Sequence, residues 1–130
     1  MTAEQAYIEI KSMLQNLGLR EIPNLHNADE VKESHNADGF ILQPTETEEA
    51  EYVSSGLMTS YQWKLEVIFK HNNSLERAQK FDRFNVVKQA LQQLSGFIGF
   101  TAGTSFERLA DFTFVSIGTI NFKYGILGSC

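Results

Sequence analysis

The chain has 130 residues, 42% apolar and 21% charged, with ten phenylalanines and a formal net charge of -5. That length suits one packed domain that buries roughly two-thirds of the surface its unfolded chain exposes, and is too short for two comfortable ones. No apolar run approaches the ~20 residues that span a bilayer. A single cysteine, Cys130, excludes an intrachain disulfide and a cysteine-based metal site, which fits folding in a reducing cytosol. Met1-Thr2-Ala3-Glu4-Gln5 has neither a basic n-region nor an apolar h-region, so no secretory signal is expected. Charge is unevenly spread: residues 21–51 hold nine acids against one base, Lys32, for -8, while 1–20 are neutral and 52–130 carry +3. An acidic arm on a mildly basic body is not the footprint of a nucleic-acid binder, and it suits complementary contacts between subunits.

In chain order, Ala3, Ala6, Tyr7, Ile10, Met13, Leu14 and Leu17 recur at three- and four-residue spacings and predict an amphipathic helix over 3–17. Thr2 and Gln5 supply its cap and Gly18 its left-handed stop. Residues 19–39 read as a long loop with one short strand near 20–22, and Phe40-Ile41-Leu42 as a short strand ended by Pro44. The run Thr45-Glu46-Thr47-Glu48-Glu49-Ala50-Glu51 repels itself, so 43–56 is expected to be a second long, solvated loop. Strict alternation over 61–70 predicts a half-buried strand starting near Leu57. After an Asn-rich turn, Asn73 or Ser74 caps a helix over 74–94. Its expected inward stripe is Leu75, Ala78, Phe81, Phe84, Val87, Leu91 and Leu94, and its outer face is basic through Arg77, Lys80, Arg83 and Lys88. Residues 97–108 read as extended, and 110–124 keep one parity throughout, as a long strand or two strands hinged near Gly118. The sum is a single α+β domain, an antiparallel or mixed sheet of about four to five strands with two helices packed on one face.

Little in the sequence carries the marks of a chemical site. His26 and His35 lie among Asp29, Glu30, Glu33 and Asp38, yet match no metal-ligand frame, and a solvated polar loop is the plainer reading. His71, in its turn, reads as structural. Cys130 has no positioned base, no nucleophile elbow occurs, and the glycines at 96, 99 and 103 follow a helix instead of opening one. The acids of 43–51 lack the fixed separation that carboxylate pairs need. The basic helix face, interrupted by Glu76 and Asp82, is ordinary for a solvated helix. No catalytic set, metal or cofactor is expected.

In its order of elements the chain resembles the tail terminator family of long-tailed bacteriophages, the small lambda-like proteins that cap a finished tail tube. The likeness is carried by the N-terminal amphipathic helix, the acidic segment, the strand over 61–70 running into the helix over 74–94, and the closing strand Leu109-Ala110-Asp111-Phe112-Thr113-Phe114-Val115. It implies a structural virion protein at the head–tail interface, assembled in the host bacterial cytoplasm. It also implies a homo-oligomeric, hexameric ring, with the tail tube protein on one face and the head–tail connector protein on the other. DNA would be only passing cargo. The expected assembly residues are Glu46, Glu48, Glu49 and Glu51 against a neighbour's Arg77, Lys80, Arg83 and Lys88, or an acidic lining for the channel, together with an exposed edge on the 110–124 strand. A head–tail joining protein is the nearest alternative. A small ligand- or peptide-binding module and a small enzyme built on His26 and His35 stand further off.

Overall fold

The structure, a computed structural model, describes residues 3–22, 38–53, 56–108 and 115–127, with side chains described for all but 46–53, 56–58, 102, 107–108 and 126–127 of these. These residues form α1 (Ala3–Asn16), β1 (Arg20–Glu21), β2 (Gly39–Val53), β3 (Gly56–Lys70), α2 (Ser74–Gln92), β4 (Phe97–Arg108) and β5 (Val115–Leu127). The sheet order is β1-β2-β3-β5-β4. β1 lies parallel to β2 and every other pairing is antiparallel, so the domain is α+β with a mixed sheet.

Both helices cover one face. The alternation of β3 turns Trp63, Leu65, Val67 and Phe69 towards them, where they meet Ala6, Ile10 and Leu14 of α1 and Phe84, Val87 and Leu91 of α2. Ile120, Phe122 and Tyr124 of β5 and Phe40 and Leu42 of β2 complete that core. On the opposite face Ile22, Ile41, Ile68, Val115 and Ile117 form a second buried cluster.

Where a loop over 43–56 is expected, residues 43–53 are instead strand. β2 continues through Pro44 and the glutamates to Val53 and pairs with β3 down to Val53↔Gly56. A proline interrupts a ladder only where its N–H is needed, and on a strand paired along one side it can sit with that position turned outward. The register slips between Pro44↔Trp63 and Glu48↔Tyr61, and Thr45 Oγ1 donates to the Gln62 carbonyl at 2.9 Å within the irregularity. Pairing along β3 thus overrides the poor strand propensity of the acidic run. The 110–124 strand is also differently placed: β5 is paired on both sides, by β3 and β4, and the sheet edge belongs to β4. Residues 109–114 of the expected strand lie outside the described residues.

Helix α2 sits close to β5 because Gly118 leaves room for the Phe84 ring. A Cβ there would lie 2.1 Å from Phe84 Cε2. Gly118→Ala is therefore expected to destabilise by about 1–3 kcal/mol through overpacking, and to cost less in a Phe84→Leu background, as read by urea unfolding.

Helix α1 is tied down at its rim by two phenols. Tyr7 donates to Glu21 Oε2 at 2.6 Å and Tyr124 to Glu9 Oε1 at 2.9 Å. Burial first, then the hydrogen-bonded carboxylate beside each, pushes both hydroxyls up to about 12 from the ordinary 10.0. The unfolded phenols ionise first, so stability fully present below the ordinary value is lost as pH rises from there through about 12. Urea midpoints should fall across that alkaline range, and Tyr7→Phe and Tyr124→Phe should each flatten the fall.

Candidate assembly surfaces

Helix α2 begins at Asn73, whose side chain accepts from Glu76 N at 2.8 Å while Glu76 Oε2 accepts from Asn72 N at 2.6 Å, a reciprocal cap. From there its inward line differs from the expected stripe. Leu75 is 70% exposed, Ala78 is exposed and Phe81 is 36% exposed. The stripe branches at Phe84. Going towards the N-terminus, the positions turned to the sheet are Lys80 and Arg77, with Arg83 alongside.

The reason is Asp38, only 8% exposed at the foot of β2. Its Oδ1 accepts from Lys70 N at 3.0 Å. Its Oδ2 accepts from Lys80 Nζ at 2.7 Å and from Arg83 Nη1. Arg83 Nη2 goes on to donate to the Leu17 carbonyl at 3.1 Å, beside Gly18 at φ 86, so the same guanidinium closes the C-terminal end of α1. A buried carboxylate must be matched by cations, and that requirement outweighs burying Leu75 or Phe81.

Arg77 is engaged too. Its Nε donates to Ser116 Oγ at 3.3 Å, and its guanidinium lies 4.8 Å from the Phe81 ring centre. His71 Nε2 lies 2.9 Å from the same hydroxyl. A serine beside a histidine invites a nucleophilic reading, but Ser116 is 0% exposed and no substrate atom can reach it, so the trio holds α2 to β5. Lys88 Nζ rests 5.4 Å above the Phe84 ring.

The four expected basic residues therefore do not form a free outward face. Three are anchored within the chain, and Lys88 flanks a trough between α2 and β4. Glu46, Glu48, Glu49 and Glu51 lie on β2 at the far end of the β2–β3 ladder from Asp38, and their side chains lie outside the description. His26 and His35, with Asp29, Glu30 and Glu33, lie in 23–37 and Cys130 in 128–130, all outside the described residues. Among the described residues no group of three His, Cys, Asp or Glu could hold a metal, and no helix is long and apolar enough to cross a membrane.

Among the described residues the β4 edge is open on the surface. Ile98 is 47% exposed and Phe100 38%. On the helix side a shallow cleft of about 360 Å³ is lined by Asn85, Lys88, Gln89 and Gln92 against Phe100, Gly103 and Thr104. On the other side Gln62 and Lys123 border a second cleft along residues 98–101. Residues 97–108 read as extended, but nothing local marked them as the edge. Asp38 was equally hidden, one acid among nine. No protein-family model and no curated protein matches this chain.

Asp38→Ala should leave Lys80 and Arg83 facing a lost partner. Discounting for their partial exposure, we expect about 2–3 kcal/mol of lost stability by urea unfolding, with Asp38→Asn recovering only part.

Proposed function

We propose that this chain is a ring-forming structural protein of the tail terminator kind, closing the end of a phage tail tube and offering its other face to the head-side connector. The observation that carries the reading is the unlikeness of the two ends of the sheet. Residues 43–53 of β2 hold four acids and no base, whereas 97–106 of β4 hold no charge at all. Two different patches on one chain suit a head-to-tail contact, and a head-to-tail contact closes into a ring when its rotation allows. The order of elements supports the same reading: an amphipathic first helix, a long strand leading directly into the second helix, and a long closing strand. The described clefts are shallow and gather no convergent set of catalytic groups, so the reading asks the protein to hold surfaces together. DNA enters it only as cargo moving past the ring, and no cofactor is needed. The protein would be assembled in the host bacterial cytoplasm and stay in the virion, at the junction of head and tail.

Light scattering at two protein and two salt concentrations tests it. The expected native mass is that of a hexamer of the 14.7 kDa subunit, present alone or formed when tail tube protein is added. A strict monomer indifferent to tube protein overturns the reading. Assembly with the connector but not the tube would reassign it to head–tail joining.

A further inference from the structure

The β4 edge is unusually bare for a strand at the end of a sheet. Natural edge strands are blunted by charges, prolines or cover, because unpaired N–H and C=O groups recruit other strands. Residues 97–106 hold neither charge nor proline, and among the described residues no strand lies beyond β4. Added Cβ atoms at Gly99 and Gly103 would meet nothing within 4 Å, so the sheet faces beside these glycines are open as well. Helix α2 forms a wall along this edge, with Lys88, Asn85 and Gln89 facing Thr104 across a cleft that has no carboxylate among its described lining residues. An edge strand with a parallel helical wall is the geometry in which an extended segment adds to a sheet.

The opposite end of the sheet has the complementary character. Beyond Phe40, β2 pairs only with β3 among the described residues, and its segment 43–53 carries four acids and no base. Two copies of that segment would repel each other if they paired, since like charges across strands destabilise. Against a neutral edge with a lysine and amide donors beside it, the same charges are tolerated or attracted.

From this we infer that the trough between α2 and the β4 edge receives the acidic β2 edge of a second copy, extending the sheet from one subunit into the next. This rests on the ring reading above and names its contact. The contact uses Lys88 as a point of charge selection. It leaves Arg77, Lys80 and Arg83 to their internal partners, unlike the expected pairing of the whole basic face.

The test uses full-length chains in a Cys130→Ser background. One tagged set carries Thr47→Cys or Glu49→Cys, the other Thr101→Cys or Thr104→Cys, and the two are mixed and oxidised while native mass is followed. Disulfides between the two sets, with few within either set, are expected. Lys88→Glu should weaken self-association by roughly tenfold, with recovery when Glu48→Lys and Glu49→Lys are added to it. Oligomers without any disulfide between the sets would overturn this contact while leaving the ring standing. Equal disulfides within and between sets would overturn it as non-selective. Monomers without disulfides would overturn both the contact and the ring.

Discussion

Asp38 sits at the foot of β2 with its carboxylate almost out of water, where an ionised acid is tolerated only beside cations and donors. The partners come from three further places in the chain: the last residue of β3, the middle of α2, and, through Arg83, the end of α1. The rotation of α2 about its own axis is therefore chosen by charge in its first half and by apolar packing in its second, with Phe84 as the changeover. Exposure of Leu75 and Phe81 follows from that choice.

The sheet extends this logic outward. Its helix-covered face is filled along most of its length, whereas its edges are left to differ: β2 acidic, bulged and interrupted by proline, β4 neutral and glycine-containing. The ring proposed above would need surfaces that are unlike each other and stable against pairing with their own kind. Charge on one edge and its absence on the other provide both properties at once. Arg77, Lys80 and Arg83 of α2, which look available in one dimension, hold the fold together instead, and of the four basic residues only Lys88 lines the cleft between α2 and β4.

Much of the architecture is legible in the residue pattern, because the periods of α1, β3 and β5 follow directly from which face is buried. Leu14 and Leu65 could hardly be anywhere but inside. The sequence is less informative where a distant partner decides the outcome. The glutamates of β2 look like loop until β3 lies beside them, since an isolated acidic run has no reason to be extended. The inward turn of Lys80 and Arg83 depends on an aspartate more than forty positions earlier. Edge and centre cannot be told apart from alternation alone, so the edge expected on the 110–124 strand belongs to β4 instead. For the candidate surfaces, the acidic run and the lysine at 88 were visible as charges, but only the sheet order puts them at opposite ends of one surface.

The ladder between β3 and β5 matches residue to residue from Met58↔Leu127 to Lys70↔Val115 without a slip. A pull directed along these strands would load that whole row of hydrogen bonds together, in shear, instead of opening them one after another from an end. The irregular pairings of β2 and β4 flank this continuous central pair, placing compliance at the margins and stiffness in the middle. The domain thus has a mechanical axis, along which it resists extension far better than it does across the strands.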